Sequence, residues 1–185
     1  MRLFLGLPLP DETCQQLQPL QRMLREALPG MRLTPAGNLH VTLKFLGDVP
    51  DERVMDVVDA VRQIPTQGAM ELELAGLWPA TDRPSAVVGL GLTGPGLPRL
   101  LDLFEATDET MLHAGFRKEG RAFSPHVTLG RMKPPTRLPG ALRDRTNARG
   151  GIGTTLDELV LYVSDLGPGG ASYTRVSSHP LDGGG

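Results

Sequence analysis

His40-Val41-Thr42-Leu43 recurs residue for residue as His126-Val127-Thr128-Leu129, and the two copies hold two of the four histidines in a chain of 185 residues. Side chains alternate across an extended strand, so His40 and Thr42 share one face while Val41 and Leu43 share the other. The second copy repeats that arrangement. The valine and leucine can anchor each strand in a core, leaving an imidazole and a hydroxyl about 7 Å apart along the opposite face. Two such strands brought together would line a cleft with two histidines and two hydroxyl donors.

Outward from the first copy, Leu3, Leu5 and Leu7 alternate as in a strand, which Pro8 and Pro10 close. Asp11 reads as the N-cap of a helix with Leu17, Leu20, Leu24 and Leu28 at helical spacing, Pro19 as a point of bending and Pro29-Gly30 as the stop. The His40 strand runs to about Leu46. Gly47-Asp48 then turns into a second helix, capped by Asp51, with Val54, Val57, Val58 and Val61 on its apolar face.

Residues 71–74 and 86–92 read as strands, and a third helix from about Leu97 carries Leu100, Leu101, Phe104 and Met111 before Gly115 stops it. Ser124-Pro125 introduces the His126 strand, which Gly130 and Pro134-Pro135 close. A basic segment follows, then strands at 156–163 and 173–178 joined by a turn-rich connection. One motif per half predicts an α+β pseudo-duplicate over residues 1–182, with Gly183-Gly184-Gly185 as a flexible tail.

Cys14 is the one cysteine, so no intrachain disulfide can form, which fits a reducing compartment. No apolar run reaches the roughly 18 residues of a membrane span. The opening apolar stretch is too short for a signal peptide and meets Asp11-Glu12 at once. A cytoplasmic protein without membrane contact is the expectation. The net charge of −2 hides an asymmetry: 117–149 holds nine Lys or Arg against Glu119 and Asp144, a net +7 that leaves −9 elsewhere. A basic region around the second motif points to an anionic ligand such as phosphate.

Gly-x-x-x-x-Gly-Lys-Ser/Thr does not occur, so that phosphate-loop fingerprint does not apply. Histidine, with an ordinary pKa of about 6.5, serves as acid or base near neutrality. For an in-line displacement at phosphorus, one neutral imidazole takes a proton from water while the other, protonated, gives one to the leaving oxygen. Thr42 and Thr128 can hold the nonbridging oxygens. A metal site is the weaker reading, since neither motif contains a carboxylate and no His-Glu-x-x-His, His-x-His or cysteine pair occurs. No cofactor is expected.

Several stretches together carry a resemblance: Arg2-Leu3-Phe4, Asn38 to Gly47, Phe123 to Arg131, and Ser164 to Gly170 with Tyr173. In that order they resemble the 2H phosphoesterases, and within them the bacterial and archaeal RNA 2′,3′-cyclic phosphodiesterases, also called 2′-5′ RNA ligases. The resemblance implies a bilobal α+β fold, with two antiparallel sheets facing a central cleft and helices outside. It implies opening of an RNA 2′,3′-cyclic phosphate to a 2′-phosphomonoester, with His40 as proton donor to the departing 3′ oxygen and His126 as the acceptor that activates water. Thr42 and Thr128 would bind phosphate. The family's reversible 2′-5′ ligation is implied as well, and nucleotides are possible further ligands.

Arg131 matches a family arginine that would bind phosphate, yet strict alternation puts it opposite His126 and Thr128, so a bulge at Gly130 is required. Phe45, a candidate for base contact, falls opposite His40 by the same rule. Lys44 falls on the His40 face. Trp78 and Tyr173 are the next aromatics for base contact, while His113 and His179 receive no role. Two other readings compete: a phosphodiesterase for small cyclic nucleotides, and a noncatalytic RNA-binding module built on the basic region. Because one chain supplies both motifs, a monomer suffices.

Overall fold

β1 (Arg2–Pro8) alternates so that Leu3, Leu5 and Leu7 enter the main core while Phe4 packs with Val160 and Tyr162 on the other side. Its double burial follows from its place between β3 (His40–Asp48) and β8 (Glu158–Gly167), both antiparallel to it. β9 (Gly170–Pro180) extends this half beyond β8. The other half comprises β4 (Met70–Trp78), β5 (Ser85–Thr93), β6 (His126–Thr136) and β7 (Ile152–Leu156), in the order β7-β4-β5-β6, and the short β2 (Arg32–Leu33) adds to β6. This computed structural model describes residues 1–81, 83–168 and 170–182. The expected tail at 183–185 lies outside them.

The two antiparallel half-sheets meet at one residue pair, Val41 opposite Val127. Hydrogen bonding thus runs through a single curled sheet, β7-β4-β5-β6-β3-β1-β8-β9, hinged where the two motif strands touch. The pairing extends no further, so the halves diverge there around a cleft.

Among the described residues four helices cover this sheet: α1 (Asp11–Ala27), α2 (Val54–Val61), α3 (Leu97–His113) and α4 (Gly140–Asn147). α1 packs against β7 and α4, while α2 and α3 pair and α3 also meets β3. One apolar cluster reaches from Leu3 in β1 to Leu156 in β7 and joins both halves. Val54, Val57, Val58 and Val61 are all buried, as their spacing predicts.

Several local expectations are corrected. Asp11 and Asp51 do not cap helices: Pro10 precedes α1, and Pro50 precedes a 3₁₀ turn at Asp51–Arg53 that leads into α2. Proline's fixed φ sets the chain entry, and the carboxylates remain in the first turn, where the helix dipole favours them. Asp51 instead accepts a hydrogen bond from the terminal amino group at 3.3 Å. Pro19 lies inside α1 on its exposed side, where its missing N–H costs least. β3 continues through Gly47-Asp48 and β6 through Gly130 to Thr136, because bulges absorb the irregularity that the glycines signal. Leu101 is exposed, since α3 turns Leu100, Leu103, Thr107 and Asp108 inward instead.

Candidate active site

The pairing of Val41 with Val127 fixes the site. Continuing that antiparallel register sets His40 across from Thr128 and Thr42 across from His126, all four on the face opposite the buried valines. Two imidazoles and two hydroxyls therefore alternate around an approximate twofold axis. His40, Thr42 and Thr128 line a small pocket together with Thr34, Asn38, Phe45, Arg131 and Tyr173. His126 flanks it, two residues from Thr128 along β6.

Each ring is pinned in the same manner. The Nδ1 of His40 donates to the Asn38 carbonyl at 2.7 Å, and the Nδ1 of His126 donates to the Ser124 carbonyl at 2.8 Å. Carbonyl oxygens only accept, so the proton sits on Nδ1 and Nε2 is left for chemistry. The Nε2 of His40 lies 2.9 Å from the Thr42 hydroxyl. Asn38 is itself tied down, its side-chain amide donating to the Ala171 carbonyl at 2.8 Å.

Aromatic rings hold both imidazoles from behind. Trp78, at the end of β4, stacks on His126 at 3.5 Å and 4° and donates from its indole to Ser124 Oγ at 3.0 Å. His40 packs on Phe4 at 5.0 Å and meets Tyr173 edge-on at 5.3 Å. Trp78 thus supports a histidine, a role that its isolated position in the sequence did not signal. Tyr173 lines the pocket and braces His40.

Burial holds the His40 imidazole below its ordinary range; the Asn38 carbonyl opposes this, and the charges of His126 and Arg131 add to it. Burial also lowers His126, against the Ser124 carbonyl and with Arg131. Both groups thus favour the neutral form in the absence of substrate.

Two matched bulges decide which neighbours reach the pocket. In β3, Gly6 pairs with Thr42 and Leu5 with Lys44, so Leu43 is extra and the alternation flips. Phe45 therefore emerges on the His40 face, 67% exposed, instead of opposite it. Lys44 turns inward, where its ammonium pairs with Asp108 of α3 and donates to the Arg117 carbonyl at 2.8 Å. Lys44 is therefore corrected from a cleft residue to a core one.

In β6, Gly89 pairs with Thr128 and Val88 with Gly130, which makes Leu129 the extra residue and returns Arg131 to the Thr128 face. The Leu129 carbonyl freed by this bulge accepts from the Thr34 amide at 2.9 Å and from Gln21 Nε2 at 3.0 Å. Gln21, buried in α1, was not singled out from the sequence.

Glycines opposite the motifs were also missed. A Cβ on Gly6 would lie 3.0 Å from the Val41 carbonyl oxygen and 3.1 Å from His40 Cδ2, and one on Gly89 would overlap the Val127 carbonyl. Each half therefore sets a glycine across from its motif threonine. A glycine interrupting an apolar strand, as in Leu5-Gly6-Leu7 and Val88-Gly89-Leu90, was the available signal.

Among the described residues, no group of three or more His, Cys, Asp or Glu stands together. No helix among them is long and apolar enough to cross a membrane.

The family model described as LigT like Phosphoesterase matches this chain twice, over residues 7–88 and 90–173, one match around each motif. The chain belongs to that phosphoesterase family. The phosphoesterase is 31% identical over 181 residues to the RNA 2′,3′-cyclic phosphodiesterase of Methanothermobacter thermautotrophicus, covering 94% of this chain and 95% of the relative. It is 30% identical to the Thermus thermophilus protein of the same name, covering 99% and 91%. Among solved structures, a Thermus thermophilus protein superposes with a TM-score of 0.74 at 27% identity, covering 98% of each chain. Escherichia coli LigT complexed with 3′-AMP gives 0.71 at 28% identity, covering 97% of each. The phosphoesterase is therefore an enzyme, with the α+β fold of these neighbours.

Proposed function

We propose that this phosphoesterase opens RNA 2′,3′-cyclic phosphates to 2′-phosphomonoesters by metal-independent acid and base catalysis from its two histidines. The antiparallel meeting of the motifs at Val41 and Val127 carries the reading, because it sets one pinned imidazole on each side of a place for phosphorus. His126 Nε2 takes a proton from water as the water oxygen bonds to phosphorus. His40 Nε2 gives a proton to the departing 3′ oxygen as the P–O3′ bond breaks. Thr42 and Thr128 donate to the nonbridging oxygens, and Arg131 offsets their charge. Phe45, exposed at the pocket edge, stacks on the terminal base.

A 5′-hydroxyl in the place of water would form a 2′-5′ linkage as the same P–O3′ bond breaks, and in the reverse reaction, attack of the 3′-hydroxyl on that linkage, the two histidines exchange roles. The relatives' names support the RNA substrate, and the 3′-AMP and ATP complexes of Escherichia coli LigT support nucleotides as further ligands. A single buried cysteine and both motifs in one chain fit a cytoplasmic monomer.

The test is steady-state hydrolysis of an oligoribonucleotide ending in a 2′,3′-cyclic phosphate, with EDTA present. His40→Ala and His126→Ala should each lower kcat by about 100-fold or more. Near-normal turnover by either variant would refute the two-histidine mechanism.

A further inference from the structure

We propose that a basic groove continuous with the catalytic pocket holds the RNA backbone on the 5′ side of the cyclic phosphate. This inference rests on the hydrolytic reading above and says where the rest of that substrate lies. Arg131 lines both the small pocket at the histidines and a second, open depression that also contains Arg32 and Lys133. Gly30, which has no side chain, and Ala86, which has only a methyl group, also line it.

Charge argues for an anionic occupant. Arg32 lies directly opposite Arg131 in the β2–β6 pairing, so the two side chains share a face. Lys133 follows on the same face, about 7 Å further along the strand. All three are exposed, with the intervening Met132 buried. Among the described residues, none of the three has a carboxylate within 4.0 Å. Like charges facing each other across a ladder destabilise it unless something neutralises them.

Connectivity identifies the occupant. The cyclic phosphate closes the 3′ end of its strand, so everything else in that RNA continues from the 5′ side of the terminal nucleotide. With the terminal phosphate beside Arg131 in the pocket, the next phosphates have a row of cations, none within 4.0 Å of a described carboxylate, adjoining the same arginine. Contacts of this kind recognise backbone charge and not base sequence. The groove therefore favours single-stranded RNA ends over mononucleotides without selecting among sequences.

The experiment compares kcat/KM for a pentaribonucleotide ending in a 2′,3′-cyclic phosphate with that for a nucleoside 2′,3′-cyclic monophosphate, in wild type and in Arg32→Ala/Lys133→Ala. The ratio of the two values should fall about 10-fold in the variant, through KM. The slope of log KM against log salt for the oligonucleotide should fall by about 1 to 2. An unchanged ratio and salt slope in a variant with the wild-type melting profile would overturn the groove. Wild-type protein that turned over neither substrate would indict the hydrolytic reading instead. Fluorescence anisotropy with a 3′-phosphorylated pentanucleotide would then decide the groove, which demands weaker binding by the variant and fails if the affinities match.

Discussion

At the scale of residues, the site depends on what stands behind each imidazole as much as on the imidazole. Main-chain carbonyls fix the Nδ1 protons, Trp78 and Phe4 supply surfaces for the rings, and Gly6 leaves room for His40. Burial lowers the affinity of both histidines for protons, so their titration moves below about pH 6.5. The proposed mechanism requires one charged and one neutral ring. As pH falls from 8, kcat/KM should rise when the pair binds its first proton and fall when it binds the second. Both limbs belong to the pair and not to either residue. The alkaline limb of kcat/KM, measured from about pH 4.5 to 8.5, is therefore expected at or below about 6.5. Bound phosphate, being anionic, should move the kcat profile upward. An alkaline limb of kcat/KM centred well above pH 7 would contradict the account.

At the scale of elements, the bulges at Leu43 and Leu129 convert a repeated tetrapeptide into two different neighbourhoods. After the first bulge the chain places Lys44 inside and Phe45 in the pocket; after the second, Gly130 lies inside and Arg131 in the pocket. Alternation alone reads Phe45 and Arg131 onto the wrong face, and only for Arg131 did a functional expectation call for a bulge. Lys44 was misread for a related reason, since its partner Asp108 is remote in sequence and lies on a helix whose apolar pattern gives no sign of a buried carboxylate.

Burial alone would raise the Asp108 carboxyl, but hydrogen bonds from Lys44 and the Glu119 amide, with the Lys44 and Lys118 charges, hold it below the usual range. These contacts also tie 117–119 down on the chain leading to His126. Removing one member of a buried pair strands the other, so Asp108→Ala should cost about 3–5 kcal/mol in urea unfolding. Lys44→Met/Asp108→Leu should cost less than that single change. A loss below about 1 kcal/mol for Asp108→Ala would show that the pair does not anchor this loop.

At the scale of the whole molecule, the duplication was legible because four identical residues occur once in each half, and the family match divides at the same place. The helices with clean apolar spacing were legible too. The joining of the halves through Val41 and Val127 was not, because one residue pair between distant strands leaves no local pattern. Nor were β2 and β7, which are short and take their stability from the strands they join. The net +7 of 117–149 pointed to an anion, and in the structure Arg131 and Lys133 of β6 share a groove with Arg32, an arginine outside the basic stretch that the proposal adds to that reading.

The central claim is that two histidines from opposite halves act on a single phosphorus, with a defined leaving oxygen. Its most direct test is to identify the product formed from an RNA 2′,3′-cyclic end, by chromatography against 2′- and 3′-phosphate standards, in H2 18O and with EDTA. The account predicts a 2′-phosphate carrying one solvent oxygen, formed by wild type and lost in both His40→Ala and His126→Ala. A 3′-phosphate product, or a 2′-phosphate still formed at the wild-type rate by either variant, would contradict it.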